Sequence, residues 1–463
     1  MQRYSRFFSN GLFGSKLIDQ MDQNDPLIIL YHTIDWDTLC LNIGKFYDPY
    51  IGRPSTDLKL LISLLMLQKI FNLSDQAIIY TWKQNYCFQA FSGRLYLTNQ
   101  TPCNSSTLCN FRKKIGKEGL ELIFAETVRI HSSECLESKV ILDTTVQKKN
   151  ISFPTDTKLR LDVISQCWAI SSHLGITFDE DYHDEVAILK KTINLSKSTR
   201  SDESKKNVEE AKDRTKDIAN DLLDQLEAKA LSQTKNDPLF VESMTNYRKA
   251  VNQTRHDKDK IYSIYEPHVA CIAKGKASVK YEFGNKVSIA IGCEHKLILG
   301  VASLQGAPYD GDTIEPTLEM MQRVHNGYMP ELGIGDLGYR GRPEVMGVKI
   351  LNPSDLPKSS DPLEREGIRL NLISRSSVEP IIGHMKADHG LNLNLLHGIS
   401  GDHVNALSAA IGFNLKRFLN IKGAETLAAV CCFKKKRSPK SKTRKVPFIR
   451  PKVSKPSILP KVA

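Results

Sequence analysis

The chain has 463 residues, of which 41% are hydrophobic and 25% charged. That composition excludes collagen, wholesale disorder and an integral membrane protein. The formal charge of +12 is unevenly spread: residues 434–463 hold 12 Lys/Arg and no acid, leaving 52 bases and 52 acids in residues 1–433.

The first 20 residues lack the apolar core of a secretory signal, and no apolar run approaches the roughly 20 residues that span a bilayer. The ten cysteines form no CxxC pair, which disfavours a disulfide framework or structural zinc and fits a reducing compartment. Residues 15–130 read as helical. Asp57–Phe71 is apolar around much of its circumference, as in a buried bundle helix. Asn72–Asp75 supplies a turn and cap, and Gln76–Asn85 begins another helix. A short helix is predicted from Ser105 to Ile115, stopped by Gly116. Arg112, Lys113 and Lys114 lie in its last turn. They are candidate DNA contacts, or else simply complement the helix C-terminus.

Val140–Leu142 reads as a short strand meeting Asp143. A mixed helical region follows. Within residues 197–260, which carry 14 bases and 13 acids, Val208, Ala211, Ile218, Leu222 and Leu226 keep helical spacing. An inserted charged helix or helical hairpin is expected at about 180–265. Residues 278–293 and 296–304 read as two strands of a hairpin or meander. Thr313–Val324 reads as a helix, Leu332–Gly335 as a strand ending at Asp336, and Val348–Leu351 as another strand. Ser376–Lys386 and Val404–Leu419 read as helices. Strands with covering helices imply an α/β layered core.

Asp143 and Asp336 therefore stand at predicted strand ends, and Glu379 on a predicted helix. Three carboxylates from separate segments suit a hard divalent cation completed by water and phosphate oxygens. Arg375, Glu379 and Lys386, spaced four and seven apart, share one face of an ideal helix. That face offers a carboxylate for metal between two cations for phosphates. The plain alternatives are an i,i+4 surface pair and turn-capping aspartates.

The sequence resembles bacterial insertion-sequence transposases of the DDE class, in the insertion-sequence-five branch of the four/five superfamily. Their signature, Tyr-x2-Arg-x3-Glu-x6-Lys, is matched by Arg375, Glu379 and Lys386, with Leu372 in the Tyr position. LDTTVQKKNISFPTD around Asp143, KYEFGNKVSIA, PYDGDT and GDLGYRG around Asp336 also resemble that branch. The N-terminal YDPYIGRPSTDLKLL stretch does so too, and the likeness covers about residues 10–420.

The resemblance implies an α/β fold with a ribonuclease H-like catalytic core. A helical N-terminal DNA-binding domain over 1–130 would precede a catalytic domain over 138–420, with the insertion inside it. A basic, disordered tail over 434–463 would add salt-dependent affinity for DNA. Asp143, Asp336 and Glu379 would bind two Mg²⁺ ions, with Mn²⁺ as a substitute, and carry catalysis. Arg375 and Lys386 would grip phosphates, and Tyr339 and Arg340 would lie near DNA. His384, about 140° from Glu379 on an ideal helix, reads as packing or backbone contact rather than a ligand. The implied activity is binding of terminal inverted repeats, then cleavage and strand transfer. The implied partners are double-stranded DNA, as element ends and target, and a second copy in a homodimer. No membrane is involved, and the setting would be the bacterial cytoplasm, at the nucleoid when bound to DNA. The alternative is a non-enzymatic DNA-binding repressor derived from a transposase.

Overall fold

The first described turns show how local chemistry starts each helix. Asp25 accepts a hydrogen bond from the Leu27 N–H at 2.8 Å and Pro26 takes the first helical position of α1 (Pro26–Thr33). Helices α2 (Trp36–Gly44), α3 (Leu58–Ile70), α4 (Asp75–Gln84), α5 (Tyr86–Phe91) and α6 (Ser105–Arg129) follow. The computed structural model describes residues 15–48, 50–51, 55–195, 202–254, 256–273, 280–358 and 361–436. The expected basic tail lies outside these residues beyond 436. Helix α3 is buried on nearly every side, as its sequence predicts, with Asp57 as its cap. Gly116, at φ 56° and ψ −151°, breaks α6 where the sequence predicts a stop, but the chain resumes its helix at once.

Strand β1 (Lys139–Lys149) opens the sheet. Helices α7 (Asp156–Leu174), α8 (His183–Leu195), α9 (Asp202–Lys229), α10 (Ser232–Lys235) and α11 (Pro238–Asn252) intervene before β2 (Ala270–Ala273). The chain continues through β3 (Tyr281–Gly292), β4 (Ile298–Leu304), α12 (Ile314–Val324), β5 (Leu332–Ile334), β6 (Glu344–Val345) and β7 (Val348–Leu351). Helices α13 (Pro362–Ser374) and α14 (Val378–Asp388), strand β8 (Leu393–Asn394) and helix α15 (Gly398–Lys436) end it. Strands β4, β3 and β1 pair antiparallel, while β1, β5 and β7 pair parallel, so the central order is β4-β3-β1-β5-β7. Strand β2 joins the first residues of β3, and β8 joins the end of β1.

Strand β1 is longer than its sequence suggests. It runs through Asp143 because Thr144, Thr145 and Val146 continue the ladder with β3, pairing with Ser288, Val287 and Lys286. Asp143 is thus inside a strand rather than at its end.

One contiguous apolar core holds α3 and α6 side chains, the sheet residues Val140–Leu142 and Val287–Ile291, and the helices α12, α14 and α15. Residue 130 is therefore no break in packing: the N-terminal helices lie on the same core as the sheet. The Asn414 side chain joins α15 to β4 by exchanging two hydrogen bonds with the Ile298 backbone, at 2.9 and 3.0 Å. A second core unites Leu159, Val163 and Ile164 of α7 with Ile218, Leu222 and Leu226 of α9 and Met244 and Val251 of α11. The inserted unit therefore begins near Asp156, earlier than the expected 180, because α7 packs with it. The residues at helical spacing in α9 are its buried stripe.

The insert returns to the sheet at a buried ionic knot. Lys149, at the end of β1, contacts Asp402 of α15 at 2.7 Å and Glu266 at 3.2 Å, all three side chains being at most 5% exposed. His268 reaches Asp402 at 2.9 Å. Among the described residues no helix is long and apolar enough to cross a membrane.

Candidate active site

Parallel pairing of β1 with β5 joins Ile141 to Ile334 and then stops. Asp143 and Asp336 each lie two residues further on, so the register sets them level where β5 gives out. The C-terminal edge of parallel strands is where open α/β sheets hold ligands. Asp143 accepts a hydrogen bond from the Thr144 N–H at 2.8 Å. Asp336 caps the short turn Leu337–Tyr339 by accepting from the Gly338 N–H at 2.7 Å.

The electrostatics tie these acids together. Burial pushes the Asp143 carboxyl up to about 6, with Asp336 and Asp310 pushing the same way; the Thr144 N–H and Arg375 oppose it. Arg375 places Nη2 3.6 Å from Asp336 Oδ2, and its Nε is buried without a hydrogen-bond partner. Arg375 occupies a separate turn, Arg375–Ser377, ahead of α14. Arg375 reaches Asp336 from this turn, while Glu379 and Lys386 lie on α14.

Glu379 is exposed in the first turn of α14, beside the buried Val378 and Ile381. Lys386 is partly exposed in the last turn. Among the described residues, no three His, Cys, Asp or Glu side chains converge closely enough to hold a metal ion as they stand.

Other expected contacts divide sharply. Arg340 is exposed, with its Nε donating to the Leu337 carbonyl at 3.0 Å. Tyr339 is 1% exposed, so it cannot meet DNA as expected; it packs beneath the acids, and burial raises its hydroxyl pKa well above the ordinary value. Lys113 and Lys114 are exposed, Lys114 lying over the Tyr47 ring at 4.5 Å. Arg112 is a correction. It is 7% exposed, and its two terminal nitrogens bind the Asp75 carboxylate at 2.8 and 2.5 Å. Its charge is thus spent inside the helical layer rather than on phosphate. His384 pairs with Asp388 at 2.7 Å, and His389 is buried against the Lys69 carbonyl, both apart from the acids.

Asp310 is the site residue that pattern reading missed. It opens the turn Asp310–Thr313 before α12 and binds the Thr144 hydroxyl at 2.7 Å and Lys286 Nζ at 2.9 Å. The signal was present in PYDGDT, but an acid before Gly reads first as a turn residue.

Residues 15–114 match the family described as "Transposase domain (DUF772)". A Rhizobium meliloti protein described as "Uncharacterized protein ORF8 in nfe locus" is 31% identical over 179 residues, 37% of this chain and 86% of that protein. No solved structure matches the chain.

Proposed function

Because the chain belongs to a transposase family, we propose that it is a DDE-class DNA transposase of the insertion-sequence-five branch. In this reading it binds the terminal inverted repeats of its element, cleaves the DNA and joins the ends to a target. The observation that carries the reading is Asp143 level with Asp336 at the open end of β5, with Arg375 beside them. The strand order β4-β3-β1-β5-β7, three antiparallel then two parallel, supports a ribonuclease H-like core.

The donor set suits a hard divalent cation. Mg²⁺ needs only one or two carboxylates, keeps several waters and accepts substrate phosphate oxygens. Asp143 and Asp336 supply those carboxylates, and Gly338 leaves open the space between Asp336 and Asp310 that a side chain would fill. Glu379 would complete a second Mg²⁺ or Mn²⁺ site once DNA is bound. When bound, such ions make water or a DNA 3′-hydroxyl a better nucleophile and stabilise the leaving oxygen.

The protein's own groups do the rest. Arg375 offsets the charge of Asp336 and in this reading receives a phosphate. Arg340 and Lys386 add cations at the rim, and Lys113 and Lys114 extend the positive surface onto the helical layer. Two element ends must meet, so a homodimer on DNA is expected, working in the cytoplasm at the nucleoid.

Asp143→Asn, Asp336→Asn and Glu379→Gln should each abolish Mg²⁺-dependent cutting of the DNA flanking the gene while leaving binding intact. A variant that still cuts at the wild-type rate removes that residue from the site. A non-cutting DNA-binding repressor is the competing reading, and the outward Glu379 is the observation on its side. Wild-type protein that binds the ends yet leaves them uncut with both Mg²⁺ and Mn²⁺ would establish it.

A further inference from the structure

We propose that the cleft between the N-terminal helices and the β8–α15 segment binds the phosphate and sugar of a nucleotide. Lys69 and Ser408 hold the phosphate, and Leu393 and Leu395 cover the sugar. Where the nucleotide belongs to a DNA strand, this rests on the DNA-binding reading above.

The cleft encloses about 750 Å³. The end of α3, the turn before α4 and the start of α6 form one wall; β8, the residues after it and α15 form the other. That volume lies within the range of small-molecule sites.

Lys69 supplies the charge. Among the described residues its Nζ makes no hydrogen bond or ion pair. Asp75 lines the same cleft, but Arg112 already binds both of its oxygens. Burial pushes the Lys69 ammonium down to about 8; Arg112 acts the same way and Asp75 opposes it. An oxyanion in the cleft would stabilise that charge.

A second wall offers an independent sign. Ser408 of α15 is 3% exposed and lines the cleft, yet its hydroxyl has no hydrogen-bond partner among the described residues. A buried hydroxyl left without a partner costs free energy. Helix α6 also begins here, at Ser105 and Ser106, without a side-chain cap from Asn104. Its first turn therefore keeps unmet N–H groups and the positive end of the helix dipole. A cation, an open hydroxyl and a helix start are the donors that a phosphate takes.

The apolar side selects the rest of the ligand. Leu393 and Leu395 are 44% and 65% exposed. A bare anion leaves them in water, whereas a sugar covers them. Leu393 pairs with Lys148, five residues beyond Asp143 on β1, which is roughly 17 Å along the strand. That length is about five base pairs of duplex rise. A strand reacting at the acids would carry phosphates at this distance. The plain alternative is water in the cleft, which meets Lys69 and Ser408 but gives the leucines no role.

The test measures binding isotherms of the full chain for two probes, thymidine 5′-monophosphate and the duplex flanking the gene. Lys69→Gln should weaken at least one probe by about tenfold. Ser408→Ala and Leu395→Ser should weaken the same probe by about threefold. If the duplex responds, the slope of log K against log salt should also fall by about 0.9 in Lys69→Gln, which a merely structural lysine would not produce. Loss confined to the mononucleotide assigns the cleft to a free ligand, and loss confined to the duplex assigns it to the DNA backbone. If Lys69→Gln melts early, Ser408→Ala and Leu395→Ser decide. Wild-type affinity for both probes in folded Lys69→Gln, or in the two deciding variants, overturns the inference. So does a wild type that binds neither probe. A duplex held through Lys69 but never cut would sink the transposase reading and leave this inference standing. Intact cutting with both affinities unchanged would do the reverse.

Discussion

The Arg375 guanidinium stands 3.6 Å from the Asp336 carboxylate and also favours the charged form of Asp143. One cation from the turn before α14 thus serves two acids on neighbouring strands. Arg375→Gln should drive the Asp143 carboxyl above its value of about 6, because burial and the two aspartates then act unopposed by that cation. Carbon-13 titration of Asp143 reads this directly. Cutting should fall by roughly 10²-fold if Arg375 stabilises charge in the transition state. An unmoved titration would show that Arg375 is electrostatically idle.

Asp143 also predicts a pH-dependent stability. Its folded pKa, about 6, lies above the ordinary aspartate value of 3.8. Between those values the folded chain binds more protons than the unfolded one, so stability falls as pH rises from about 4 to 6. Above that window the full penalty applies. Metal-free Asp143→Asn should therefore be more stable than wild type at pH 8, by roughly 1–3 kcal/mol. The gain should shrink toward pH 4. Thermal melts at the two pH values check both the sign and the trend.

Arg112 and its neighbours should separate cleanly. Arg112→Met leaves Asp75 partly buried without its partner and should cost about 2–4 kcal/mol. The salt dependence of DNA binding should stay as it was. Lys113→Glu with Lys114→Glu should do the reverse, keeping the melting temperature and lowering the slope of log K against log salt. Melting curves and binding isotherms at several salt concentrations distinguish the two. A change of slope in Arg112→Met would return that residue to the DNA surface.

The knot at Lys149 is the most costly place to remove a charge. Lys149→Met strands Asp402 and Glu266, each almost fully buried, and should cost about 3–5 kcal/mol. Denaturant unfolding measures it. A loss below about 1 kcal/mol would mean that His268 and Asn394, both bonded to Asp402, suffice alone.

Much of this architecture is legible in the sequence where the signal is local. Val348–Leu351 forms the predicted strand, the expected hairpin forms over its described residues from Tyr281 to Leu304, and α3 is buried nearly all round, because periodicity and apolar runs state burial directly. What escapes is non-local. Arg112 reads as a free cation until Asp75, 37 residues away, closes on it. Asp310 reads as a turn residue until Thr144 and Lys286 arrive from β1 and β3. Arg375 reads as a helical neighbour of Glu379 until Asp336, beyond the end of β5, meets its guanidinium. Partners distant in sequence leave no periodic trace.

The inserted helices bury their own apolar side chains, so their cohesion is decided locally. They can open without exposing the sheet, and native-state hydrogen exchange should resolve two cooperative units of unequal stability. The ionic knot then acts as the latch between them, since Glu266 and His268 follow the insert while Lys149 and Asp402 belong to the sheet and its covering helix. Sequence change within α8 to α11 should leave the acids of β1 and β5 undisturbed, which makes this segment the natural place for the protein to vary or to accept a graft.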